Sequence, residues 1–213
     1  MVATSPTTPA DFPVETAKKE LANILHAVPE KVSLDNIVFV GDSWTLGYTK
    51  GLKNAQVVAE SGKSSTWVLQ NFRNALDKNT EYVVIRCGIN NIRSPQQVIN
   101  DLDSMIRKTN RLNDRKFVVC NLLPRWAPTK TAEERAQIKR NIKKVNDAIK
   151  TKWPNNYVDQ YSYFDDKQNP GNISPEYVSN TDAMKLHLGS KGNDRAQENI
   201  LQKIEELEKI KGY

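Results

Sequence analysis

Short runs rich in valine and isoleucine alternate along this chain with longer amphipathic segments. The runs occupy residues 37–40, 56–59, 82–87, 117–120 and 157–158. Continuous apolar runs of this kind are typical of strands that are buried on both faces of a parallel sheet. Because helical segments separate successive strands, the pattern predicts right-handed crossovers and an α/β fold. We therefore expect a central parallel sheet of about five strands.

The segments between the runs have the spacing of helices that bury one face. The clearest lies over 132–150, where four apolar residues recur every three or four positions. Helices are also predicted over 14–28, from Ser64 or Ser65 to Leu76, from Ser94 onward and over 193–211. The polar stretch 165–180, with two prolines and a glycine, predicts a long loop.

The chain of 213 residues suits one domain, predicted over 14–213, after a flexible lead-in over 1–13 that is rich in threonine and proline. The start carries neither the basic region nor the apolar region of a signal peptide. Either the protein works where it is made, or a leader has been removed or replaced. Since no apolar run is long enough to span a bilayer, we expect no membrane association.

Charge and cysteine content restrict the possible partners. The formal net charge of +6 fits either attraction to a polyanion or ordinary solubility. Lysines and arginines are scattered among acidic residues, which favours solubility, and no nucleic-acid partner is expected. Cys87 and Cys120 lie in apolar runs and are predicted to be buried thiols, with a single disulfide as the alternative.

Small and polar residues follow three predicted strands at the edge where parallel sheets carry their sites. Residues 41–44 (Gly-Asp-Ser-Trp) follow the first strand, Gly62 follows the second, and residues 88–91 (Gly-Ile-Asn-Asn) follow the third. His187 precedes the last helix. A serine, a histidine and several hydrogen-bond donors form the inventory for acyl transfer. Each piece alone also has a structural explanation, as a capped turn or a packing histidine.

These motifs resemble, in order, those of the SGNH (GDSL-type) hydrolases over about residues 36–205. Residues 41–43 resemble the first block, Gly62 the glycine of the second, residues 88–91 the Gly-x-Asn-Asp pattern of the third, and residues 187–192 the histidine stretch of the fifth. The resemblance implies a flavodoxin-like, three-layer α/β/α sandwich. It also implies hydrolysis of an ester or acyl group without a cofactor.

The resemblance further implies a role for each matching residue. Ser43 is the implied nucleophile and His187 the implied general base. The backbone N–H groups of Ser43 and Gly62, with the side-chain amide of Asn90, are the implied oxyanion hole. A serine hydroxyl needs such a base, and an oxyanion needs such donors, whatever the family.

Two positions depart from the family pattern. The aspartate of the triad normally lies three residues before the histidine, where this chain has Met184. Asp182, five residues before His187, is the candidate that orients the imidazole, and a backbone carbonyl behind His187 is the alternative. Asn91 stands where the third block often has an aspartate in a supporting role.

Three residues that follow predicted strands are candidates for binding the substrate. Trp44 follows the nucleophile, while Arg125 and Trp126 follow the fourth strand, so all three are expected to line the mouth of the site. Aromatic faces bind sugar rings, although a tryptophan beside a loop is as often packing. We therefore expect a serine ester hydrolase that forms an acyl-enzyme on Ser43. It would remove small acyl groups, such as acetyl, from small-molecule or glycan esters.

Three alternatives stay open at this point. An acyltransferase would use the same residues and pass the acyl group to a sugar hydroxyl. A non-catalytic glycan-binding module is favoured by the displaced acid. A basic nucleic-acid binder would need affinity that falls steeply with salt. No zinc spacing, calcium loop, P-loop or dinucleotide fingerprint occurs, so we expect no metal or cofactor, and His26 is interpreted as a packing or solvent-facing residue.

Overall fold

A computed structural model gives the structure of residues 33–110 and 116–210, all within one compact unit. Three expectations lie outside the described residues. They are the lead-in over 1–13, the helix over 14–28 and the interpretation of His26.

A five-stranded parallel sheet forms the centre of the fold. Its strands are β1 (Ile37–Gly41), β2 (Gln56–Ala59), β3 (Tyr82–Arg86), β4 (Lys116–Cys120) and β5 (Tyr157–Val158), in the order β2-β1-β3-β4-β5. Every neighbouring pair is parallel. All residues of β1 and β3 are buried, as expected for strands covered on both faces. The predicted α/β class and flavodoxin-like sandwich are confirmed.

Helices of the described ranges cover the sheet. They are α1 (Ser43–Thr49), α2 (Ser65–Asn71), α3 (Pro95–Asn110), α4 (Ala132–Lys152), α5 (Gln160–Phe164) and α6 (Ser190–Ile210), with 3₁₀ turns at Leu34–Asn36 and Phe72–Ala75. Helix α1 packs against α6, whereas α2 packs against α3 and α3 against α4. Helices α1 and α5 were not predicted from the sequence, and α6 begins three residues before its predicted start. No helix in the described residues is both long and apolar enough to cross a bilayer.

Three neighbouring strands end level with one another, and this positions the site. Gly41, the last residue of β1, pairs with Ala59 at the end of β2 and with Arg86 at the end of β3. The segments that follow these strands therefore leave the sheet side by side. These are the segments that carry the serine, glycine and asparagine motifs.

The end of β1 approaches β3 so closely that only glycine fits at position 41. A Cβ there would overlap the hydroxyl of Thr45 and the carbonyl oxygen of Arg86. The Thr45 hydroxyl donates a hydrogen bond to that carbonyl at 3.2 Å. Helix α1, which begins with Ser43, is thus tied directly to the end of β3.

Both cysteines are free and buried, so the prediction of two buried thiols is confirmed. Burial raises the pKa of the Cys120 thiol to about 12, although the charge of Arg86 opposes the shift. Burial likewise raises the pKa of Cys87. Neither thiol has the lowered pKa of a reactive cysteine.

Candidate active site

Ser43 and His187 lie in contact although 144 residues separate them. Nε2 of His187 is 3.1 Å from the hydroxyl oxygen of Ser43. Ser43 is the first residue of α1, and Asp42 caps the helix by accepting a hydrogen bond from the Trp44 N–H at 3.1 Å. The N–H of Ser43 therefore lies in the first turn, where N–H groups have no acceptor within the helix.

Asp182 reaches His187 from five residues away. Its Oδ2 is 2.8 Å from Nδ1 of His187. The carboxylate also accepts hydrogen bonds from the backbone N–H groups of Met184, Leu186 and His187 at 2.9, 2.8 and 2.7 Å. Partial burial acts to raise the pKa of Asp182, but these hydrogen bonds outweigh it and hold the pKa below its usual value. An ionised carboxylate thus stands behind the histidine.

A tight turn accommodates the longer spacing between Asp182 and His187. The N–H of Lys185 donates to the carbonyl of Asp182 at 3.0 Å. Lys185 itself is in the left-handed region, with φ of 50°. The loop therefore folds back on itself, and the carboxylate comes to lie beside the imidazole. Counting residues along the chain does not show this turn.

Trp44 makes a hydrogen bond to the loop that carries His187. Its indole N–H donates to the carbonyl of Leu186 at 2.9 Å, and only 3% of the residue is exposed. The expectation that Trp44 lines the mouth of the site is therefore wrong, because its ring is packed in the core. Its contact instead ties α1, which carries Ser43, to the residue before His187.

The loops after β2 and β3 meet at Asn90. The side-chain amide of Asn90 donates to the carbonyl of Lys63 at 3.0 Å, which places it one residue from Gly62. Gly62 has φ of 76°, a left-handed conformation that favours glycine. Asn90 itself is exposed. The structure therefore brings the asparagine and glycine motifs together at the edge beyond β1.

A buried polar network holds these two loops. Asn91 accepts a hydrogen bond from the N–H of Ser65 at 3.0 Å and donates to its hydroxyl at 2.9 Å. The Asp101 carboxylate accepts from the hydroxyls of Ser65 and Thr66 at 2.6 and 2.8 Å, and from the amide of Gln97 at 2.7 Å. Sequence reasoning missed Asp101. The sequence signal that could have revealed it is an aspartate among the apolar positions on the inner face of α3.

A second missed feature is the buried charge under α1. Arg86 is completely buried, with its guanidinium 4.8 Å from the centre of the Trp44 ring and 5.4 Å from that of Tyr48. Burial raises the pKa of the nearby Asp42 to about 6, although the Trp44 N–H and the charge of Arg86 oppose the shift. An arginine inside the apolar run of β3 is the sequence signal that could have revealed it.

Arg125 and Trp126 take different positions in the loop after β4. The Arg125 guanidinium donates to the carbonyl of Ile89 at 3.3 Å, and its backbone N–H donates to the carbonyl of Gly171 at 3.1 Å. Burial lowers the pKa of Arg125. Arg125 thus ties this loop to the residue before Asn90. Trp126 remains exposed, at 37%, and lines a cavity of about 400 Å³.

Among the described residues, no group of three or more His, Cys, Asp or Glu side chains is arranged so that it could hold a metal ion.

Comparison with solved structures places this fold among known proteins. A GDSL-like lipase from Bacteroides thetaiotaomicron is 20% identical, with a TM-score of 0.68 over 89% of this chain and 97% of that one. An acetylxylan esterase from Geobacillus stearothermophilus is 14% identical, with a TM-score of 0.55 over 79% and 93%. The OSK domain of Drosophila Oskar is 14% identical, with a TM-score of 0.58 over 79% and 86%. No family model matches the chain, and neither does any curated protein.

The chain has the fold of the SGNH (GDSL-type) hydrolases, as the ordered motifs predicted. Identities this low show the fold alone. Two of these neighbours are named for ester or lipid hydrolysis and the third is not named for an activity. One fold can serve several functions, so the function depends on the residues of the site.

Proposed function

We propose that this protein is a serine ester hydrolase that forms an acyl-enzyme on Ser43. The observation that carries the proposal is the chain of contacts from Asp182 to His187 to Ser43, at 2.8 and 3.1 Å. A serine hydroxyl becomes a useful nucleophile only when a base accepts its proton, and the base works best when a third group orients it. The shifted position of the acid in the sequence favours a non-catalytic module. The contact between Asp182 and His187 counts against that alternative.

Proton transfer follows from the order of these groups. An ionised Asp182 can only accept a hydrogen bond, so Nδ1 of His187 carries the proton and Nε2 is free to accept one. The Ser43 oxygen attacks the ester carbonyl while Nε2 takes the hydroxyl proton. The imidazolium then gives this proton to the departing alcohol. Water, deprotonated by the same nitrogen, releases the acid and restores the serine.

The oxyanion of each tetrahedral intermediate needs donors that are already in place. We assign this role to the backbone N–H groups of Ser43 and Gly62 and to the amide of Asn90. One N–H of the Asn90 amide donates to the Lys63 carbonyl, which orients the group and leaves the second N–H for the substrate. A donor of this kind contributes on the order of 3 kcal/mol to the transition state.

The substrate is proposed to be a small acyl ester, such as an acetyl ester, of a carbohydrate alcohol. Support comes from the exposed indole of Trp126 in the loop after β4. A fold neighbour is an acetylxylan esterase. Transfer to a sugar hydroxyl in place of water is the second candidate. Turnover of p-nitrophenyl acetate with added sugar distinguishes the two, because a transferase yields acetylated sugar and a hydrolase yields acetate.

Labelling with a fluorophosphonate tests the nucleophile without knowledge of the natural substrate. The wild-type protein should be labelled once, on the peptide that contains Ser43. Ser43→Ala should not be labelled, whereas Ser94→Ala, which changes an exposed serine, should behave as wild type. Absence of labelling, or a label on another residue, would contradict the proposal.

The orienting acid has its own test. Asp182→Asn keeps the size of the side chain but removes the charge that stabilises the imidazolium. We expect turnover of p-nitrophenyl acetate to fall by a factor of about 10²–10⁴. Asp194→Asn, which changes an exposed aspartate on α6, is the matched control. Full turnover in Asp182→Asn would remove Asp182 from the mechanism and leave a serine–histidine dyad.

A further inference from the structure

A cavity of about 400 Å³ lies beside the histidine loop, in the size range of ligand pockets, roughly 300–1,000 Å³. One wall is Trp126, in the loop after β4. Another is the polar loop over 165–180, and a third comes from the residues on either side of Asp182. Its polar and aromatic lining includes Trp126, Asp166, Asn169, Asn172, Asn180 and Lys185.

The lining combines an aromatic face with several polar groups. Trp126 is more than a third exposed and lines the cavity, so part of its side chain is available to a ligand. Carboxylate, amide and ammonium side chains line the same cavity and offer both donors and acceptors of hydrogen bonds. A sugar ring presents C–H groups on its faces and hydroxyls around its edge, and this lining matches both. Ile173, Pro175 and Val178 complete the lining and add apolar surface for the C–H groups of such a ring.

Hydrogen bonds connect the cavity walls to the proposed catalytic loops. Val178, in one wall, pairs with Leu188 in a β-bridge, and the N–H of Ser179 donates to the carbonyl of His187 at 2.9 Å. Lys185, in the third wall, lies two residues before His187. Arg125, next to Trp126, is bonded to Ile89, the residue before Asn90. The cavity is therefore built onto both the base and the oxyanion side of the site.

We propose that this cavity is the subsite for a sugar ring of the substrate's alcohol portion, with Trp126 as its stacking platform. The inference rests on the proposed ester hydrolysis. It places the carbohydrate alcohol, which the hydrolysis releases, in a defined cavity. Occupation of the cavity would hold the ester against Ser43 by contacts remote from the reacting carbonyl. Such contacts raise kcat/KM for the substrate that makes them.

A comparison of two substrates tests the subsite. The substrates are p-nitrophenyl acetate and the most rapidly hydrolysed of three acetylated tetrasaccharides, built from xylose, glucose or N-acetylglucosamine. Trp126→Ala should lower kcat/KM at least ~10-fold more for the tetrasaccharide than for the nitrophenyl ester. Trp126→Phe keeps an aromatic face and should restore most of the loss. Equal losses on both substrates, or no loss on the tetrasaccharide, would overturn the subsite.

Binding separates failure of the subsite from failure of the proposed function. Ser43→Ala is titrated calorimetrically with the same tetrasaccharides without acetyl groups, with and without Trp126→Ala. Binding that Trp126→Ala weakens at least ~10-fold supports the subsite, even if the wild-type protein hydrolyses no ester. Hydrolysis of p-nitrophenyl acetate without binding or hydrolysis of any tetrasaccharide refutes the subsite and leaves the esterase proposal intact.

Discussion

Two adjacent asparagines in the loop after β3 have different surroundings. Asn90 is exposed, and its side chain donates a hydrogen bond to the Lys63 carbonyl. Asn91 makes two hydrogen bonds with Ser65, which is itself buried. Asn90 is the proposed oxyanion donor, whereas Asn91 holds two loops together. The family resemblance already implied this division from the motif alone.

Alanine substitutions should separate the two roles. Asn90→Ala should lower kcat for p-nitrophenyl acetate by a factor of about 10²–10³. Its free energy of unfolding should stay within about 0.5 kcal/mol of wild type. Asn91→Ala should lower that free energy by about 1–3 kcal/mol, because it leaves the backbone N–H of the buried Ser65 without its acceptor. Urea unfolding and initial rates measure both. A stability loss in Asn90→Ala equal to that of Asn91→Ala would argue against the assignment.

Lys185 holds the turn that joins the acid to the base. Its left-handed backbone conformation costs an L-residue roughly 1–2 kcal/mol relative to glycine, and a β-branched residue fits worst. Lys185→Gly and Lys185→Val both remove the amine. A difference between them in stability or kcat therefore reports how easily each residue adopts the left-handed backbone conformation. We expect the glycine variant to unfold at higher urea and to have the higher kcat. Equal behaviour of the two variants would show that the turn does not constrain the site.

At the scale of elements, Asp101 fastens α2 to α3. Its carboxylate is 2% exposed and accepts three hydrogen bonds from side chains of both helices. The loops that carry Gly62 and Asn90 end at the first residues of these two helices. The network therefore sets the distance between two proposed oxyanion donors, although none of its members is expected to touch the substrate.

Asp103, two residues further along α3, provides a matched control. Asp101→Ala removes the acceptor of the buried Ser65 hydroxyl and of two less buried donors, and should lower the free energy of unfolding by about 2–4 kcal/mol. Asp103→Ala removes ion pairs with Arg107 and Lys152 that face solvent, and should cost less than about 1 kcal/mol. Chemical denaturation measures both. Similar losses would mean that the Asp101 network contributes no more than a surface ion pair.

Helix α1 shows why element prediction failed next to the site. Its seven residues include a glycine and two threonines, which favour helix only weakly. The helix forms because Asp42 caps it and because it packs against α6. Gly47 lies so close to Asn193 of α6 that a Cβ would come within 2.7 Å of the Asn193 amide oxygen. Contacts between distant parts of the chain, not local propensity, decide this element.

For the whole molecule, the buried Asp42 makes stability depend on pH. Its pKa of about 6 in the folded state lies above its ordinary value of 3.8, because burial disfavours the charge. Between these values the folded state binds more protons than the unfolded state, so stability falls as pH rises from about 4 to 6. The other described carboxylates with shifted pKa values are all lowered, so their contributions to stability rise with pH and are complete by about pH 5.

Asp42→Asn should abolish this slope. Asparagine can still accept the Trp44 N–H and caps helices well, so the variant is expected to fold. The wild-type free energy of unfolding should fall by an amount on the order of 3 kcal/mol between pH 4 and pH 7, and the variant should lack most of that fall. Urea titrations at four pH values measure the slope, with Asp194→Asn as control. An unchanged slope in the Asp42 variant would refute the assignment.

Local patterns predicted the strands and their ends, because apolar runs report burial. The resemblance of the ordered motifs then pointed to Ser43, Gly62, Asn90 and His187. The tertiary structure decided the rest. Whether Asp182 meets His187 depends on one left-handed turn. Whether a tryptophan faces solvent depends on partners more than a hundred residues away, so Trp44 is buried against the histidine loop while Trp126 stays exposed. Sequence periodicity records which face of an element is buried, but not which distant group covers it.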